Sequence, residues 1–108
     1  MNIFVFGSNR EGRHGAGAAL HAVFHHGAIY DQAEGLQGHS YAIITKELRH
    51  QEPPVTLDEV AQGVGRFLVF AALHPEHEFN VTPIGCGLAG FTPEQIAPLF
   101  ANHTPNVH

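Results

Sequence analysis

The sequence predicts an α/β domain with a mainly parallel sheet. Three observations carry this. Strand-like apolar runs alternate with helical stretches along the chain, the pattern of strands joined by helical crossovers. The first run, Ile3 to Phe6, is continuously apolar, which suits a strand covered on both faces. Two glycine-rich stretches, GSNREGRHGAG and PIGCGLAGF, each follow a strand and lead into a helix.

The elements follow in order. Asn2 to Phe6 is a strand closed by Gly7 and Ser8. After a loop, a helix begins at Gly15 with Ala16, Ala19, Leu20, Val23 and Phe24 on one face, and Gly27 stops it. Residues 28–40 read as weakly structured, with Gly35 and Gly38 framing a flexible turn. SYAIITKE is the second strand, centred on Tyr41 to Ile44, and Pro53 and Pro54 keep the next segment irregular. Thr56-Leu-Asp-Glu59 fits a capping box and opens the clearest helix. Its apolar stripe is Leu57, Val60, Ala61, Val64, Phe67, Leu68 and Ala71, running to about Leu73 before Pro75. EFNVTPIG is the third strand. Thr92-Pro-Glu-Gln95 is a second capping box, with proline at the first helical position of a helix reaching about Ala101. The tail from about residue 102 has no periodicity and is expected to fray.

The 108 residues suffice for one domain with one modest core, 1–108, and no repeat or low-complexity segment divides them. An apolar fraction of 44% predicts a packed core rather than disorder. The formal net charge of −5 argues against bulk nucleic-acid binding, which needs a basic face to displace counterions. It leaves room for a single nucleotide held by backbone amides. A single cysteine excludes an intramolecular disulfide, and no stretch is long enough for a signal peptide or a membrane span. The expected address is therefore the cytoplasm, with no membrane partner. Oligomeric state stays open.

Both glycine-rich loops fall at the carboxyl ends of strands, where open α/β sheets bind ligands. Small residues there expose clusters of backbone N–H groups, and helix N-termini favour anions. The physical reading is a site for a phosphorylated ligand, a diphosphate gripped from both sides. The competing reading is that the glycines only form tight turns. Neither loop is a strict nucleotide motif: there is no Gly-x-Gly-x-x-Gly and no Walker lysine. Cys86 lacks the downstream arginine of a cysteine phosphatase loop.

Together with Ile44-Thr45-Lys46, the loops resemble the macrodomain superfamily, and within it the lysine-dependent terminal ADP-ribose protein glycohydrolase branch. In that branch a Gly-Ala-Gly segment opens the first helix, as Gly15-Ala16-Gly17 does here. A strand ends in Ile-Thr-Lys, and a Pro-x-Ile-Gly-Cys-Gly-Leu segment, similar to PIGCGL at 83–88, precedes a late helix. The resemblance spans Asn2 to about Phe100. It implies a three-layer α/β/α sandwich of minimal size that binds ADP-ribose or a derivative and needs no cofactor. Ser8 and Asn9 would lie near the distal ribose. Gly15, Ala16 and Gly17, with Gly85, Cys86, Gly87, Leu88, Ala89 and Gly90, would hold the diphosphate beside Thr45. Phe91 would stack on a base or anchor the core.

In that branch the matching lysine attacks the anomeric carbon of the distal ribose. Here it would be Lys46, the only lysine in the chain. Where the branch has an acid after Gly-Cys-Gly-Leu, this chain has Ala89. Three groups could assist instead: Glu11, His14 and Asp31, with His14 preferred because a neutral imidazole can act as base near pH 7. Arg10 and Arg13 could meet a phosphate. Two functions follow: hydrolysis of an ADP-ribosyl linkage through Lys46, or ADP-ribose binding without chemistry. A purely structural domain would leave both loops without purpose. The histidines at His21, His25 and His26, and HPEHE at 74–78, offer metal-ligand spacing without a completed ligand set, and no metal is expected.

Overall fold

The computed structural model describes all 108 residues, Met1–His108. The strands are β1 (Asn2–Asn9), β2 (Gly35–Gln37), β3 (Ser40–Lys46) and β4 (Glu78–Val81). The helices are α1 (Gly17–His25), α2 (Leu57–Leu73) and α3 (Pro93–Ile96), the last continued by a 3-10 turn over Ala97–Phe100. The sheet order is β2-β3-β1-β4. β1 pairs in parallel with both β3 and β4, and β2 lies antiparallel on the outer edge of β3. The domain is α/β with a mixed, mainly parallel sheet. No helix is long and apolar enough to cross a membrane.

Alternation along β1 splits the core between the two faces of the sheet. Ile3 and Val5 join Tyr41, Ile43 and Phe79 under Val60, Val64, Phe67 and Ala71 of α2. Phe6 and Ala42 face the other way and pack under Ala19 and Ala22 of α1. The α2 side holds 13 buried residues and the α1 side five, so most of the hydrophobic stabilisation lies under α2. The buried residues of α1 are both alanines, with Val23 partly buried beside them. The buried face of α1 is therefore Ala19 and Ala22, and Phe24, expected on it, is 73% exposed.

Both capping boxes form. The Thr56 side chain accepts from the Glu59 amide and the Thr92 side chain from the Gln95 amide, each reciprocated by the N3 side chain. Gly27 takes the left-handed conformation (φ 73°) just past α1.

Two segments correct the sequence reading. Residues 28–40 are ordered: Gly35–Gln37 forms β2, and Gly38 (φ 60°) turns tightly against Gly27, leaving no room for a β-carbon. The tail does not fray. Val107 is buried and bridges Phe79 in parallel, and the amides of Phe79, Val81 and His108 donate to Asn106, His108 and Phe79 carbonyls. Asn106 Nδ2 donates to the carbonyls of Ala71, His74 and His77 at 2.9–3.1 Å. A short polar segment thus closes the exposed edge of β4.

Candidate functional site

The carboxyl ends of β1, β3 and β4 open into one cleft of about 640 Å³. Its walls are the two glycine-rich loops, and its floor is the end of β1. A register shift between Ser8 and Asn9 sets Asn9 opposite Lys46, so the bulge brings the first loop up to the end of β3. Gly7 lies at the closest approach. A β-carbon there would stand 2.9 Å from Thr45 Oγ1 and 3.5 Å from the Gly85 amide nitrogen.

The first loop is shaped by Asn9. Its Oδ1 accepts from the amides of Glu11 and Arg13, and its Nδ2 donates to the Arg13 carbonyl, at 3.0–3.2 Å. That bracing delivers Gly15, Ala16 and Gly17 to the cleft. No side chain caps α1, and the amides of Ala16, Gly17, Ala18 and Ala19 have no acceptor within the chain. All four residues line the cleft. Gly17 (φ 57°) needs glycine for its backbone, whereas Gly15 has an ordinary φ and faces open space.

The second loop closes on itself. The Cys86 amide donates to Pro83, Gly90 to Gly87 and Phe91 to Gly85. That leaves the amides of Gly85, Gly87, Leu88 and Ala89 without acceptors, and these residues line the opposite wall. Two sets of residues with unpaired N–H groups therefore line one space, one of them at a helix N-terminus carrying roughly half a positive charge. The charged side chains around it are Arg13, Lys46 and Glu47, two cations against one anion in a chain of net charge −5. Tyr30, Leu48 and Leu88 give the mouth an apolar rim, with Leu88 86% exposed.

Lys46 reaches the cleft with its side chain 39% exposed and its Nζ 3.4 Å from Glu47 Oε2. Glu47 sits below the ordinary carboxylate range, first because its own amide and that of Val55 donate to it, and then because Lys46 stands beside it. Arg13 is held charged by Tyr30 and Asp31, its guanidinium 3.3 Å from the Asp31 carboxylate and 5.7 Å from the Tyr30 ring centre.

The structure brings Ser8, Asn9, Gly15, Ala16, Gly17, Lys46, Gly85, Gly87, Leu88 and Ala89 together. Other expected residues lie elsewhere. His14 is buried beneath the first loop with its Nε2 donating to Gln32 O and Gln37 Oε1 at 3.0 and 3.1 Å. Both partners are oxygens, so Nε2 carries the proton, and the ring edge packs on Phe6. It braces the loop instead of facing the cleft. Glu11 is engaged by Arg49 through two hydrogen bonds of 2.9 and 3.1 Å, which lower its pKa. Asp31 is occupied by Arg13. Arg10 turns to Glu59 at 3.1 Å and to the Pro53 carbonyl.

Thr45 is buried behind Gly7, and the Ser8 hydroxyl donates to the Ala33 carbonyl. Cys86 Sγ donates to the Ile84 carbonyl and packs toward the α2-side core, as does Phe91. Gly90 (φ 84°) only turns the loop. Sequence reasoning missed Gly7, Tyr30, Leu48 and Thr82 as lining residues. Gly7, directly before Ser8, was the one with a signal, since a glycine at a strand end marks a close backbone approach. Compared with protein-family models, with curated proteins and with solved structures, the chain matches none.

Proposed function

We propose that this chain is a small macrodomain-like α/β/α sandwich whose cleft binds ADP-ribose or an ADP-ribose derivative. One observation carries the reading: the residues whose amides have no acceptor, Ala16 to Ala19 from the first loop and Gly85, Gly87, Leu88 and Ala89 from the second, line one ligand-sized cleft. A diphosphate is the ligand whose charge and length suit two N–H clusters. In this reading Lys46 and Asn9, paired at the strand ends, would meet the distal ribose. Tyr30, Leu48 and Leu88 offer apolar surface to a sugar or base.

The catalytic form of the reading makes Lys46 the nucleophile at the anomeric carbon of an ADP-ribosyl linkage. Attack requires the free amine. Glu47, the one carboxylate of the cleft, favours the ammonium through its ion pair with Lys46, so in this reading the lysine proton leaves to solvent before attack, whereas the sequence reading gave the assisting role to His14 or Glu11. A second reading, binding without turnover, is favoured by Ala89 and by the Lys46–Glu47 ion pair, which occupies the lysine.

The experiment that tests binding is titration of isotopically labelled protein with ADP-ribose, followed by amide NMR. Resonances of Ala16 to Ala19 and of Gly85 to Ala89 should shift together, while those of Glu94 to Ala101 stay in place. Shifts confined elsewhere would remove the cleft as the site.

A further inference from the structure

We propose that His74, Glu76 and His77 form a binding site for a single zinc-class transition-metal ion. The three residues occupy the turn between α2 and β4, at the amino end of β4, whereas the cleft lies at the carboxyl ends of the strands. The inference does not depend on the cleft.

The geometry points to a metal in three ways. First, the ligand atoms converge. One nitrogen of each imidazole and a carboxylate oxygen all lie within 4.8 Å of one another. Metal–ligand bonds of about 2.0–2.1 Å at tetrahedral angles place neighbouring ligand atoms about 3.4 Å apart. His74 Nδ1 and His77 Nε2 stand 3.1 and 3.7 Å from Glu76 Oε2, on either side of that value.

Second, the His77 ring has no hydrogen-bond partner. Its Nδ1 is buried without a hydrogen bond, and its Nε2 is beyond hydrogen-bond reach of Glu76. The tautomer protonated at Nδ1 leaves the Nε2 lone pair aimed at the cluster. A cation there would use a lone pair that is otherwise unused.

Third, the turn is held in place before any ion arrives. Asn106 Nδ2 donates to the carbonyls of both His74 and His77, and the Met1 ammonium donates to the Glu76 carbonyl. The His74 ring stacks on Phe70 with centres 4.2 Å apart, and the His77 ring meets Phe79 edge-on at 6.1 Å. Two imidazoles and one carboxylate suit zinc, with the fourth position left to water. His74 Nδ1 faces Glu76 Oε2 at hydrogen-bond distance; on binding, its ring proton would move to Nε2 and Nδ1 would take the ion.

The test is competition of chelator-stripped full-length protein with a chromophoric zinc indicator. Native protein should take up one equivalent in the micromolar range or tighter, with weaker uptake in acid, where protons compete for the imidazoles. His74→Ala and Glu76→Gln should each lose that equivalent, and His21→Ala, on the exposed face of α1, should keep it. Imidazole nitrogen NMR of the native protein guards against variants that unfold: zinc should shift Nδ1 of His74 and Nε2 of His77. Absence of a tight equivalent, its retention in both His74→Ala and Glu76→Gln, or unmoved His74 and His77 nitrogens would overturn the proposal.

Discussion

Gly85 and Gly87 are two residues apart in the same loop, yet alanine should affect them in opposite ways. At Gly85 the backbone is left-handed (φ 71°), and a β-carbon would lie 3.2 Å from Phe91 Cδ2 and 3.3 Å from Ile96 Cδ1. The left-handed conformation alone costs about 1–2 kcal/mol for a residue with a β-carbon. Shifting two packed core side chains adds to this, so Gly85→Ala should lose about 2 kcal/mol or more. At about 4–8 °C per kcal/mol for a domain of this size, Tm should fall by about 8–16 °C. Gly87 has no positive φ, and its β-carbon would meet nothing within 4 Å. Gly87→Ala should stay within about 0.5 kcal/mol of the native stability. Gly87 nevertheless lines the cleft among the unpaired amides, so an added methyl should crowd a ligand held there. Crowding of about 1–2 kcal/mol there weakens ADP-ribose binding by about five- to thirtyfold. Thermal unfolding by circular dichroism and calorimetric titration measure both quantities on both variants. A Gly85→Ala protein as stable as native would refute the packing argument. A Gly87→Ala protein that is stable and binds normally would refute the assignment of this loop as a ligand wall.

Three more predictions follow from named contacts. Lys46→Ala should abolish release of a labelled ADP-ribosyl group while leaving ADP-ribose affinity within about threefold, because the amides supply the binding; undiminished release would exclude the lysine mechanism. Asn106→Ala strips a donor from the carbonyls of Ala71, His74 and His77 and should cost about 2–3 kcal/mol at about 1 kcal/mol per bond, read as a lower urea midpoint. Stability should also fall in acid. Glu11, Glu47, Glu59 and Glu76 all have folded pKa values below their ordinary 4.5, so the stability they contribute is present above 4.5 and is lost as pH falls through the lower folded values. His26 is also lowered, by desolvation first and then by its histidine neighbours. It adds an earlier loss as pH falls below its ordinary 6.5. A Tm that stays flat from pH 7 to pH 3 would contradict both.

What the sequence made legible was whatever local chemistry decides. The two capping boxes, the α2 stripe, the Gly27 stop and the placement of both glycine loops at strand ends depend on residues within a few positions of each other, and each is present in the structure. What stayed hidden depends on partners far apart in sequence. β2 is three residues long, and Gly-Leu-Gln carries no strand periodicity; it pairs because Gln37 is buried beneath the first loop, donating to the Gln32 and Gly35 carbonyls and accepting from the Ile29 amide. His14 looked like a loop base because nothing near it in sequence reveals that Gln32 and Gln37 accept the hydrogen bond from its Nε2. The docked tail rests on one buried valine and one asparagine whose acceptors are about 30 residues upstream. Glu47 in the cleft was legible only as a neighbour of Lys46. Its importance comes from the absence of any other carboxylate among the lining residues.

In the proposed function, two sets of amides read a diphosphate and the sugar beyond it. Calorimetric titration with ADP-ribose, with AMP and ADP alongside, tests this most directly. ADP-ribose should bind at least about tenfold more tightly than AMP, a gain of about 1.4 kcal/mol from the second phosphate and the distal ribose. Equal affinity for ADP-ribose and AMP, or no heat with either, would contradict it.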